Sequence, residues 1–90
     1  MKCFLMDNVQ IDSFSDGECV VYDGNNEMMH VLNQTASLIL KALLENGEHA
    51  LQIYLQNAEK FGWNITQTEL ENDFKSVFEG LLESNIIVFR

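Results

Sequence analysis

His30, His49, Cys3, Cys19 and the carboxylates Glu69, Glu71 and Asp73 are side chains able to move a proton, attack a carbonyl or hold a metal ion. Each such chemistry needs partners at a workable spacing: a nucleophile beside a base, an acid/base pair, or several ligands converging on one point. His30 falls in a strand-like run and His49 opens a helix-like one, with no pattern linking them. A histidine so placed serves structure. Glu69, Glu71 and Asp73 crowd the opening turns of a predicted helix, where the positive end of the helix dipole accounts for them. Cys3 and Cys19 match neither a zinc-ligand spacing nor a disulfide framework. They could face each other across a ladder, but read better as reduced, part-buried small hydrophobes. The glycines are isolated, so no phosphate-cradling loop is present. The expectation is a chain with no catalytic residue, no metal site and no cofactor.

Charge narrows the partners. Fourteen acidic and five basic residues leave a net charge of −9. A nucleic-acid binder needs the opposite balance to neutralise phosphates. An acidic surface suits cationic partners, or serves solubility alone. Ninety residues, 47% of them apolar, suffice for one domain spanning residues 1–90, near the lower size at which a single core is stable. No apolar run approaches the ~20 residues of a membrane-spanning helix. The stretch Met1 to Asp7 holds one basic residue and too short an apolar run for a signal peptide, which makes the cytoplasm the default location.

The elements that would position a site are legible from periodicity. Cys3 to Met6 and Val9 to Ile11 read as extended segments. Asp16-Gly17 is a turn signal ahead of Glu18 to Tyr22, a run of strand length. Asp23-Gly24-Asn25-Asn26 is a strong turn, and Glu27 to Leu32 is the return strand of a hairpin. At Asn33 the period changes from two to 3.6. Asn33 serves as N-cap of a helix over Gln34 to Asn46, with Ala36, Ile39, Leu40, Leu43 and Leu44 on one face and Gly47 as its stop. A second helix is predicted from about Glu48 to Phe61, with Leu51, Tyr54, Leu55 and Ala58 on its stripe and Gly62-Trp63-Asn64 breaking it. Thr66 to Glu69 has the form of a capping box. It opens a third helix with Leu70, Phe74, Val77, Phe78, Leu81 and Leu82 as its stripe and Gly80 as a weak point or a close contact. Ile86 to Phe89 reads as a short closing strand. Strands followed by helices predict an α+β fold, a three-stranded antiparallel sheet followed by three helices, similar to a winged helix-turn-helix. The third helix carries Glu69, Glu71, Asp73, Glu79 and Glu83 against Lys75 alone, a face that phosphates would repel. A short apolar strand at a sheet edge offers instead unpaired backbone groups to which a peptide can add.

Several of these residues, taken in order, resemble the PqqD-like family, the recognition domains for leader peptides of ribosomally made, post-translationally modified peptides. The matching pattern is Val31-Leu32-Asn33-Gln34-Thr35-Ala36, then Ile39, Leu40, Leu43 and Gly47, then Asp73-Phe74, Val77-Phe78, Leu81-Leu82 and Ile86-Ile87. It spans about Glu18 to Val88. Asn46-Gly47 stands where the family commonly has Asp-Gly, and the segment from Phe61 to Ile65 has no close counterpart. The resemblance implies a non-catalytic peptide chaperone that takes a precursor's leader as an added strand and delivers it to a maturation enzyme. It implies a binding strand of Met28, Met29, His30 and Val31, and a facing wall drawn from Asp73, Phe74, Lys75, Val77 and Phe78 of the third helix. A one-residue change of register reverses every side chain. With Leu32 turned inward, Met29 and Val31 are expected on the accessible face and Met28 and His30 on the other. The expected partners are a leader peptide and a modifying enzyme, with no nucleic acid and no membrane, the chain being a monomer or a homodimer. The same fold used for protein–protein contact or regulation is the alternative, and a DNA-binding regulator is a further one that the charge disfavours.

Overall fold

The computed structural model describes residues 1–60 and 66–90. Its strands are β1 (Cys3–Leu5), β2 (Val9–Ser13), β3 (Cys19–Asp23), β4 (Met28–Leu32) and β5 (Ile87–Phe89). Its helices are α1 (Gln34–Asn46), α2 (Ala50–Lys60) and α3 (Gln67–Glu83), with a 3-10 turn over Gly47–His49 between the first two. The fold is α+β, built on the antiparallel sheet β2-β3-β4. The predicted break at Gly62-Trp63-Asn64, and the helix end at Phe61, lie outside the described residues.

Two expectations change. The extended segment at Cys3 does not join the three-stranded sheet; β1 pairs with β5 as a separate antiparallel ladder, Cys3 opposite Phe89 and Leu5 opposite Ile87. Backbone bonds between Lys2 and Arg90, and from Met6 N to Ile86 O, lengthen that ladder at both ends. Cys3 and Cys19 therefore sit in different sheets and are not ladder neighbours; both are buried free thiols. Burial holds the Cys3 thiol pKa above its ordinary value, so it stays a neutral hydrophobe. The second correction is at Gly80, where a Cβ would meet open space and where α3 continues to Glu83. No close approach requires that glycine.

The helix signals act locally as their chemistry demands. Asn33 accepts a hydrogen bond from the Ala36 amide at 2.9 Å, and Thr66 with Glu69 forms the reciprocal capping box. Gly47 adopts φ +57°, and its N–H donates to Leu43 O, ending α1. A side chain at Gly47 would also strike the Met1 carbonyl, 2.6 Å from an ideal Cβ. The second helix begins with the 3-10 turn, and regular α-helix starts only at Ala50.

The core lies around α1. Ile39, Leu40 and Leu43 are fully buried, packed with Val21 from the sheet, Tyr54 and Ala58 from α2, Leu70, Phe74 and Leu81 from α3, and Ile86 and Ile87 at the closing strand. α1 packs against α2, α3, β1 and β4. It is the element that holds the sheet and the other helices in one geometry, and the abrupt β4-Asn33-α1 junction fixes β4 to it.

Candidate functional site

Register decides which residues of β4 face where. Directly opposed residues of an antiparallel pair share a face. Cys19, Val21 and Asp23 of β3 are buried toward α1, so Leu32, His30 and Met28, their partners on β4, point the same way. Val20 opposes Val31 and Tyr22 opposes Met29, on the outer face, together with Gln10 and Asp12 of β2. As the alternation requires, Met29 and Val31 are 65% and 69% exposed, whereas His30 and Leu32 are half-buried. Met28 departs from the expectation. It lies on the inner face by register and is still 52% exposed, because the helices do not cover the sheet at that corner.

Strand β4 thus pairs with β3 on one side and, among the described residues, with nothing on the other. Its apolar side chains are uncovered on both faces at Met28, Met29 and Val31. Burying such groups would release roughly 25 cal/mol per Å² of apolar surface. An unpaired ladder of N–H and C=O groups, flanked by uncovered apolar side chains, is a template for one more strand.

The hairpin that carries this edge is held by polar contacts at its tip. Asp23 is 2% exposed, and its carboxylate accepts from Asn25 N at 2.9 Å, Asn26 N at 3.4 Å and Asn26 Nδ2 at 2.8 Å. The Asn26 side-chain bond is the main cause that holds the Asp23 carboxyl below its ordinary range, with lesser help from the two backbone amides and from His30. The tip is also tied to the β1–β2 turn. Gly24 N donates to Asn8 O at 2.8 Å, Asn25 Nδ2 to Asp7 O at 2.8 Å and Asn8 Nδ2 to Asn25 Oδ1 at 3.2 Å. A Cβ on Gly24 would come within 2.9 Å of that Asn8 oxygen, so the two turns fit only with glycine there. Sequence reading found the turn and missed the tie; the Asp7-Asn8 pair was its unread signal.

The residues expected on α3 are arranged differently. Phe74 is buried, stacked on Phe78 at 6.1 Å between centroids and tilted against Tyr54 at 5.8 Å. Phe78 meets Phe89 of β5 edge-on at 5.6 Å. Phe74, Phe78 and Phe89 line a cavity of about 320 Å³ with Leu43, Gly47 and Leu51, which includes no residue of β4. Asp73 is exposed and lies toward α2, where its charge adds to burial in raising the Tyr54 pKa. Lys75 is exposed and pairs with Glu79 one turn on, at 4.0 Å. Val77 is half-buried. The structure therefore brings Met28 to Val31 together as one edge and Phe74, Val77 and Phe78 together as one packed cluster. The substantial packing of α3 is with α1, α2 and β5. Toward the β2 end of the sheet, a second cavity of about 430 Å³ opens between β2, β3 and α1, lined by Ile11, Phe14, Cys19, Ser37, Leu40 and Leu44. No set of His, Cys, Asp or Glu among the described residues is grouped to hold a metal ion, and no described helix is long and apolar enough to cross a membrane.

No family model matches this chain, and no curated protein does. Two solved structures share its fold. One is described as a lasso peptide synthetase B1 complexed with the leader peptide; it superimposes with a TM-score of 0.76 at 21% identity, covering 99% of this chain and 100% of the other. The second is described as TbiB1 in complex with the TbiA(beta) leader peptide, with a TM-score of 0.73 at 18% identity over 100% of this chain and 98% of that one. Over essentially its whole length, this chain has the fold of proteins seen with a leader peptide bound.

Proposed function

We propose that this protein is a non-catalytic recognition domain, one unit over residues 1–90, that binds the leader of a ribosomally made precursor peptide and presents it to a modifying enzyme. The carrying observation is the free, apolar edge of β4 on a fold shared with two leader-bound proteins. The leader adds as an antiparallel or parallel strand along Met28, Met29, His30 and Val31. Its inward side chains then reach the corner left uncovered at Met28. Val77 and Phe78 form the helical wall, with Phe74 backing them from the core and Asp73 and Lys75 at the rim. The arrangement of sheet and helices is winged helix-turn-helix-like, with the wing edge turned to peptide binding. The work takes place in the cytoplasm, on a monomer or homodimer. The net charge of −9 leaves nucleic acid without an attractive surface.

Titration calorimetry with the leader portion of a short peptide encoded beside the gene tests this reading. Binding at micromolar strength or tighter, about −8 kcal/mol, that is lost on scrambling the leader, is expected. Absence of heat and of NMR shifts at high peptide concentration would overturn it. Strand addition has its own test, because alternate residues of an edge strand aim their N–H at the neighbouring strand or outward. Of Met28→Pro and Met29→Pro, one must leave the hairpin folded and still abolish leader binding, since proline cannot donate to the added ladder.

A further inference from the structure

The sheet and its turns carry no lysine or arginine. Between Cys3 and Leu40 the charged side chains are Asp7, Asp12, Asp16, Glu18, Asp23 and Glu27, six carboxylates against the single imidazole of His30. None of the six forms an ion pair among the described residues; the ion pairs there are Met1–Glu48, His49–Glu48 and Lys75–Glu79. Three of these carboxylates lie near the ends of β4, Glu27 on the chain leading into it and Asp16 and Glu18 on the β3 side of its far end. Glu27 immediately precedes β4, exposed and with φ +54°. At the other end, Asp16 and Glu18 stand beside the β4–α1 junction, since Cys19 is opposite Leu32 and Gln34 Nε2 donates to Asp16 O. Glu18, Asn33, Gln34 and Thr35 line an open polar hollow there of about 350 Å³.

These two carboxylates crowd each other. A side-chain hydrogen bond with Asp16, then its negative charge, push the Glu18 carboxyl above the ordinary range. The positive end of α1 contributes only about half a charge, less than the two carboxylates carry. The hollow and its surroundings are therefore acidic on balance.

We propose, on the reading of β4 as a peptide-binding edge, that its occupant is a cationic strand. It is an apolar core about five residues long, flanked on each side by lysine or arginine, with one basic side chain seated in the Glu18–Asn33–Thr35 hollow and the other beside Glu27. Leu32, Val31 and the methionines take the apolar centre; these carboxylates set its ends and therefore its register.

The probes are three acetylated, amidated seven-residue peptides with a common Val-Thr-Val-Thr-Val centre, flanked at both ends by arginine, by glutamine or by glutamate. Amide NMR spectra of the intact protein are followed on titration at low salt. The arginine peptide is expected to shift β4 together with Glu18, Thr35 and Glu27, and to bind about tenfold tighter than the glutamine peptide, two surface ion pairs' worth. The glutamate peptide should bind weakest, and the arginine advantage should shrink toward twofold near 0.5 M salt, about where screening is short-ranged. The double variant Glu18→Gln, Glu27→Gln should erase the preference and leave the apolar contacts intact. Equal shifts of β4 by the arginine and glutamine peptides would overturn the cationic preference and leave strand addition standing. Arginine-dependent shifts that bypass β4, or no shifts with any peptide, would overturn both.

Discussion

Strands β4 and β5 are alike in composition and opposite in fate. Both are short and apolar, β4 leading into α1 across Asn33 and β5 following α3 across Ser84, Asn85 and Ile86. β5 is matched by β1 along its length, with Ile87 3% exposed and Phe89 packed on Phe78. Each has a single ladder partner among the described residues, β1 for β5 and β3 for β4, yet β4 leaves Met28, Met29 and Val31 at least half exposed. Apolarity alone therefore does not separate a residue that holds the fold from one left facing solvent. What separates the two strands is whether the rest of the chain covers their side chains.

Three measurements can break or sharpen that contrast. The largest effect belongs to Ile87→Ala, which empties a filled position and should cost about 2–5 kcal/mol in urea unfolding. A loss below about 1 kcal/mol would mean that the β1–β5 ladder contributes little and that the two strands differ less than their burial implies. Next is Asp23, which fixes the tip of the β4 hairpin. Its folded carboxyl lies below the ordinary value, so its contribution is complete above the unfolded pKa of about 3.9 and fades as pH falls through the folded value. The melting temperature of the native protein should drop over that acidic range, and Asp23→Asn should flatten the drop while lowering stability at neutral pH. An unchanged acid limb in Asp23→Asn would assign the sensitivity elsewhere. The smallest effect is expected from Val31→Ala, which should alter stability by no more than about 0.5 kcal/mol, the range of ordinary surface positions. A core-sized loss there would show that Val31 is already covered in solution, by a second copy or by a rearranged edge.

Legibility in the sequence followed distance along the chain. The Asn33 cap, the Thr66 capping box and the Gly47 stop act within one turn of helix, and each was readable from a few adjacent residues. The hairpin was readable because Asp23 to Asn26 lies between two strand-like runs. The β1–β5 ladder joins residues from opposite ends of the numbering, and no local pattern announces such a pairing. The same limit applies to α3. The 3.6 period correctly marks Phe74, Val77 and Phe78 as one stripe, but period cannot say whether a stripe meets a helix, a strand or a guest. Tyr54 and Phe89 answer part of that question: Phe74 is buried against Tyr54, whereas Phe78, edge-on to Phe89, stays half-buried. On β4 the alternation did predict the outward pair Met29 and Val31. It missed the exposure of Met28, which depends on where the helices stop covering the sheet rather than on the strand itself.

The bonds between Asp7, Asn8, Gly24 and Asn25 have a mechanical meaning. They latch the tip of the host hairpin to the turn that leads out of β1, and β1 is in turn zipped to β5. A strand peeled away from β4 pulls against that latch instead of against β4 alone. On the proposed strand addition, a guest would leave while the hairpin keeps its shape, with the edge in register for the next one.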